Sequence, residues 1–277
     1  MSSKSMSLKA KINNYAKQNK IAPQVVMQNY MFEHLLERIA VSEYRDKFVI
    51  KGGFLISSLV GLDTRSTMDL DTTLQHCKLS EAEVARIVSY ICATDLGDEI
   101  AFSYKSIEPE RENDRYGGFC VKLEARFEGI VTPLSIDITT GDIITPAPVE
   151  HNFSSLFHED KKINLLAYNI ETILAEKIET ILGRNVLTTR MRDFYDVHIL
   201  CTTKRIKPRK LTDAIKATAI HRGSWENIQD TESILQRISS NSELIRLWKQ
   251  YQRKFPYAKG IEFEAIIATL REVVVIV

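Results

Sequence analysis

Apolar positions fall at helical spacing over Val26, Tyr30, Phe32, Leu35, Leu36 and Ile39, and Pro23 suits the first turn of the helix they predict. Phe48-Val49-Ile50 reads as a short strand ended by Gly52 and Gly53. Residues 54–60 read as the next helix, stopped by Gly61, and residues 63–67 as a loop. Residues 68–74 then form a second strand. Ser80 and Glu83 have capping-box spacing, which opens a helix running to about residue 96 and ended by Gly97. Residues 100–107 and 118–127 are strands around a charged turn, EPERENDRYGG. Residues 134–139 alternate, with Leu134, Ile136 and Ile138 on one face and Ser135, Asp137 and Thr139 on the other.

The rhythm changes after Pro146 and Pro148. From residue 156 the spacing is helical, with the longest periodic run at 164–182 and others at 190–201, from 208 to about 219, and at 232–240, 242–254 and 262–273. This predicts an α+β protein in two domains. Residues 1–155 form a mixed sheet with helices on one side, and residues 156–277 form a helical domain. Residues 1–20 carry Lys4, Lys9, Lys11, Lys17 and Lys20 and read either as a tail or as a short surface helix. There is no internal repeat and no low-complexity segment.

Composition narrows the classes. A chain of 277 residues that is 44% hydrophobic can bury one large core or two modest ones. The net charge of +1 excludes a uniformly basic nucleic-acid coat. The charge is uneven, however: residues 201–277 hold 14 Lys+Arg against 8 Asp+Glu, and residues 1–200 hold 23 against 28. A basic C-terminal part suits a polyanionic partner. Cys77, Cys92, Cys120 and Cys201 form no CxxC pair, which argues against zinc and for free thiols in a reducing compartment. The first residues lack an apolar core, and no apolar run reaches membrane length, so a cytoplasmic protein is expected.

The chemistry concentrates at FVIKGGFLISSLVGLDTRSTMDLDTTL. In a strand of period two, Asp69 and Asp71 point the same way, about 7 Å apart. Like charges so placed repel unless a cation lies between them. Mg²⁺ takes carboxylate oxygens together with phosphate. Asp137 falls on the corresponding face of its own strand and is a third candidate, either as a bridging ligand or as a general base. Gly52 and Gly53 permit close backbone approach to phosphate, and the alternative is a plain tight turn. Lys51 either touches phosphate or ends the strand. Arg65, beside Ser66 and Thr67, either clamps a phosphate or pairs with Asp63 or Asp69. Lys177 sits at the edge of an apolar helical stripe, either as a phosphate-binding point charge or as a snorkelling surface lysine. Asp193 and Asp196, at i and i+3, either orient Lys177 or make ordinary surface pairs with Arg190 and Arg192. No P-loop, GxGxxG, G-x-S-x-G or paired-histidine motif is present.

Taken together, KGGFLISSLVGLDTRSTMDLDTTL, PLSIDI, LAEKIETIL and RMRDFYDVHIL resemble the AbiEii/AbiGii family of DNA polymerase β-like nucleotidyltransferases. Many members are the toxin of a type IV toxin–antitoxin or abortive-infection pair. The resemblance implies a polymerase β-like nucleotidyltransferase domain followed by a helical domain. It implies Mg²⁺ on Asp69 and Asp71, with Asp137 as the third carboxylate, and an NTP as co-substrate. Gly52 and Gly53 match the family's nucleotide-cradling turn, and the neighbouring Lys51, Arg65 and Ser66 are expected, from their positions, to contact the nucleotide. Lys177 matches the family's essential lysine, and Asp193, or else Asp196, matches its RDxxD acid. The implied reaction moves NMP to an acceptor, for which the tRNA 3′ end is the expectation. A protein or small-molecule hydroxyl, or inhibition by nucleotide binding without catalysis, are the alternatives. A cognate antitoxin is implied, with direct binding left open.

Overall fold

The computed structural model describes residues 3–77, 80–109, 117–158 and 160–274. The chain divides into two compact units, Met1–Asp142 with Val149–Ala167, and Ile143–Pro148 with Tyr168–Val277.

The first unit contains α1 (Ser3–Asn19), α2 (Pro23–Val41), β1 (Phe48–Lys51), α3 (Gly52–Val60), β2 (Leu70–Leu74), α4 (Glu81–Ala93), β3 (Ile100–Pro109), β4 (Gly118–Phe127), β5 (Ile130–Thr139), β6 (Val149–Ser154) and β7 (Lys162–Ala167). The seven strands form one sheet in the order β3-β4-β5-β2-β1-β7-β6. It is mixed: β2 runs parallel to β5 and β1 parallel to β7, and the other pairs are antiparallel. Period-two alternation gives the sheet an apolar and a polar face. Val121 and Leu123 of β4 stand opposite Ile136 and Leu134 of β5, and all four are buried. Helices α2, α3 and α4 pack on the strands. Helix α2 buries Val26, Phe32, Leu35, Leu36 and Ile39, and α4 buries Val84, Ile87, Val88 and Ile91. Cutting one such aromatic back, as in Phe32→Ala, costs about 3–5 kcal/mol.

The second unit contains α5 (Ile170–Arg184), α6 (Met191–Thr203), α7 (Pro208–Arg222), α8 (Thr231–Ser239), α9 (Ser242–Lys254) and α10 (Phe263–Val274). Its helix starts follow from capping side chains. Asn169, Asp230 and Asn241 accept the backbone N–H groups of Thr172, Ser233 and Leu244. Gly223 closes α7 in the left-handed conformation.

Several expectations change. The run at 164–182 is not one helix. Residues 162–167 are strand β7, and α5 begins only at Ile170, after the Asn169 cap. Ile163, Leu165 and Ala167 of β7 alternate into the core, so strand structure continues past residue 155, which lies between the neighbouring strands β6 and β7. Strand β2 starts at Leu70, which leaves Asp69 just ahead of it. Helix α4 ends at Ala93, short of residue 96. The lysine-rich residues 3–19 are helical, with Leu8, Ile12 and Ala16 inward. Most of the turn EPERENDRYGG lies outside the described residues.

Candidate active site

The polar face of the sheet carries a row of chemically active side chains. Register pairs Lys51 of β1 with Asp71 of β2, Asp71 with Asp137 of β5, and Asp137 with Cys120 of β4. Partners across a ladder point to one side, so Lys51, Asp71, Asp137 and Cys120 share a face. Asp69, two residues before Asp71, is exposed. The acids sense one another electrostatically. Burial raises the Asp137 carboxyl above the usual carboxylate range, and the charges of Asp71 and Asp69 push it the same way. Cys120 and Lys122 oppose them without reversing the shift.

The glycine turn is built around Asp71. The backbone N–H of Gly53 donates to Asp71 Oδ2 at 3.1 Å. Gly52 has φ +61°, and a Cβ there would lie 1.9 Å from the same oxygen. A side chain at Gly52 is thus excluded by conformation and by contact. The anion held at the start of α3 is therefore the protein's own carboxylate, and the turn fixes where that carboxylate stands. A Cβ at Gly53 would lie 2.7 Å from Thr67 Oγ1 and 3.0 Å from both terminal nitrogens of Arg65.

Arg65 is only 2% exposed, with its guanidinium beside Gly53 and Nη1 donating to the Ser66 carbonyl at 2.7 Å. It lies inside the fold, packed against the turn. Ser66 is half-buried. Lys51 reaches Asp142. Its ammonium donates to Asp142 Oδ2 and to Thr139 Oγ1, each at 2.6 Å. The hydroxyls of Thr139 and Thr73 also donate to Asp142. Burial opposes ionisation of Asp142, but Lys51 and the two hydroxyls hold its pKa at about 2. Sequence reasoning misses Asp142. Its only signal there is its place just beyond the strand that carries Asp137.

In the second unit, Lys177 of α5 is bracketed by two acids of α6, with Nζ 2.7 Å from Asp193 Oδ1 and 2.8 Å from Asp196 Oδ2. Asp196 is fully buried. Arg190 Nε donates to the other Asp193 oxygen at 2.7 Å. Burial alone would raise the Asp193 carboxyl, but Lys177 and Arg190 hold it below its usual range. The i, i+3 spacing of Asp193 and Asp196 thus places both acids on one ammonium rather than on the surface.

Among the described residues, the trio with ligand atoms within 4.8 Å of one another is His34, Glu37 and Asp98, not the three aspartates. Its charge is already balanced. Arg38 holds both oxygens of Asp98, at 2.9 and 2.7 Å, and Lys161 pairs with Glu37 at 2.6 Å. It acts as a half-buried brace between α2 and the start of β3, where the buried Arg38 also donates to the Ile100 carbonyl. No described helix is long and apolar enough to cross a membrane.

An acidic row on a mixed sheet, a glycine turn seating one of the acids and an Asp-held lysine are parts suited to phosphoryl chemistry, and comparison with known proteins gives the class as nucleotidyltransferase. The model of the family described as "Nucleotidyl transferase AbiEii toxin, Type IV TA system" matches residues 34–269. The chain belongs to this family of nucleotidyltransferase toxins from type IV toxin–antitoxin systems. Among solved structures, it is similar to the Helicobacter pylori protein JHP933, with 15% identity, TM-score 0.48, and coverage of 91% of this chain and 92% of that one. It is also similar to an antigenic nucleotidyltransferase-like protein from Paracoccidioides brasiliensis, with 16% identity, TM-score 0.45, and coverage of 76% and 92%. A search of curated proteins finds no match.

Proposed function

We propose that this protein is a Mg²⁺-dependent nucleotidyltransferase that moves NMP from an NTP to the 3′-terminal hydroxyl of tRNA. The observation that carries the reading is the registered pair Asp71–Asp137 on the polar face, with Asp69 two residues ahead and Asp71 seated on the Gly52–Gly53 turn.

The donor set fits a hard cation. It is made of carboxylate oxygens, and the charges of Asp71 and Asp69 both act to raise the Asp137 carboxyl, as acids gathered at one place do. When bound by Asp69, Asp71 and Asp137, Mg²⁺ supplies neutralisation of the triphosphate charge. Gly52 and Gly53 fix the Asp71 carboxylate. Lys51 and Arg65, in this proposal, shape the site from below, because one is held by Asp142 and the other is packed under Gly53. Lys177 is the nucleotide-handling point charge, and Asp193 and Asp196 are its positioning residues.

In the reaction, the acceptor hydroxyl oxygen bonds to the α-phosphorus. The bond from that phosphorus to the β-bridging oxygen breaks, and pyrophosphate leaves. The hydroxyl proton passes to Asp137. The basic surplus over residues 201–277 supports an RNA acceptor. Capping the tRNA end would block aminoacylation and arrest growth, and the antitoxin partner implied by the family would counter that effect.

The test is incubation with each labelled NTP, Mg²⁺ and total tRNA. Label on tRNA is expected. Label on a protein or on a small acceptor instead would move the acceptor assignment. No transfer from any NTP would overturn the proposal.

A further inference from the structure

We infer that a groove on the helical unit, between the start of α6 and the end of α9, binds the single-stranded end of the acceptor RNA. This rests on the reading of the protein as a transferase acting on RNA, and it adds where the RNA end is held.

The groove encloses about 410 Å³. Its cations are Arg190, Arg192 and Lys254, and its one carboxylate is Asp193. That carboxylate is already held by Lys177 and Arg190. Arg192 and Lys254 meet an aromatic ring instead. The Arg192 guanidinium lies 5.5 Å and the Lys254 ammonium 5.4 Å from the Phe255 ring centre. Among the described residues, neither of these two cations is ion-paired. Phe255 is half-buried and joins an aromatic ladder, 4.6 Å from Tyr251 and stacked at 5.4 Å on Tyr257.

A half-buried ring flanked by two cations that make no ion pair among the described residues suits an unstacked base with phosphates on either side. Stacking works for any base, and guanidinium and ammonium groups track the backbone. Duplex RNA offers no open base face, so it is a poor ligand for this groove. An apolar protein segment is disfavoured by the three cations. Because Asp193 lines the groove and also holds Lys177, an RNA end bound here lies beside the lysine assigned to nucleotide handling.

The test measures binding separately from transfer. Fluorescence anisotropy is recorded for a labelled single-stranded oligoribonucleotide of about ten residues, within the site sizes of such grooves. Wild type is compared with Arg192→Gln, Lys254→Gln, their double variant and Phe255→Ala, with thermal unfolding run in parallel. Lys254 is exposed and Arg192 half-buried, so Lys254→Gln above all keeps the test valid if Phe255→Ala fails to fold. The expected result is about tenfold weaker RNA binding for Phe255→Ala. Each removed cation should shallow the salt dependence by about 0.7 in log–log slope. NTP affinity should be unchanged, and duplex RNA should bind more weakly than the single strand. Unchanged RNA affinity in the folded variants, or an equal loss of NTP affinity, overturns the inference. So does a wild type that binds no oligonucleotide. A wild type that binds the oligonucleotide through this groove but transfers label to no RNA leaves the groove standing and removes the reading of the acceptor.

Discussion

Gly52→Ala is the sharpest perturbation of the site that leaves every charge in place. Gly52 stands at φ +61°, where an alanine costs about 1–2 kcal/mol. The larger effect is local. The new Cβ would sit 1.9 Å from Asp71 Oδ2 and 2.5 Å from its Cγ. Restoring an ordinary contact requires the carboxylate to move by about 1.5 Å, or the turn to open and break the Gly53 N–H bond at 3.1 Å. A displacement of this size at a reacting centre costs about a hundredfold in rate. The fold should survive, because Asp71 lies at the polar face and the buried residues of β2, Leu70, Thr72, Thr73 and Leu74, are untouched. The assay is labelled-nucleotide transfer, with thermal unfolding as the fold check. Gly129→Ala is the control, because a Cβ there meets nothing within 4 Å. Transfer by Gly52→Ala within about threefold of wild type would refute the seating of Asp71 by the turn.

Lys177→Met strands two carboxylates that are buried around the ammonium and should cost about 3–5 kcal/mol in urea unfolding; a loss below about 1 kcal/mol would mean that the pair is not buried as described. Glu33 accepts hydrogen bonds from Leu156 N–H and Ser155 Oγ, yet burial lifts its pKa to about 8. Its folded value exceeds the unfolded one, so the native state keeps a proton that the unfolded chain has lost, and stability falls as pH rises from about 4 to 8. Glu33→Gln should therefore be neutral near pH 4 and more stable than wild type by about 2–4 kcal/mol at pH 8, and parallel stability–pH profiles would contradict this. Asp142 has the opposite sign, with its folded pKa depressed to about 2. Its share, about 2 kcal/mol, is present above about pH 4 and lost as pH falls toward 2, so the stability gap between wild type and Asp142→Asn should narrow over that window.

Much of the sheet unit is legible in the sequence because its strands and helices are separated by strong punctuation. Glycines, the Ser80 cap and clean period-two runs mark β1, β4, β5 and α4. Strand β7 is not legible for a definite reason. Its six residues, KINLLA, run straight into the apolar stripe of α5, and a window that short fits either period. Only Asn169, which caps Thr172 N–H at 2.8 Å, marks the break. Strand β6 follows two prolines and buries only Phe153 outright, so it carries almost no apolar signal. At the site, the residue types and the shared face of Asp71 and Asp137 follow from spacing. What spacing cannot supply is the partner across space. Lys51 belongs to Asp142, ninety-one positions away, and Arg65 is packed under Gly53. The Asp193–Lys177–Asp196 bracket is the intermediate case. The helix period presents two acids on one side of α6, but the long-range contact decides that they meet a lysine.

The most direct test of the central claim is equilibrium binding of a labelled NTP, with and without Mg²⁺, to wild type, Asp69→Asn and Asp71→Asn. The account predicts that Mg²⁺ tightens NTP binding by wild type and that either substitution abolishes the tightening while the fold is retained. Equal affinity in all three proteins, or binding indifferent to Mg²⁺, would contradict it.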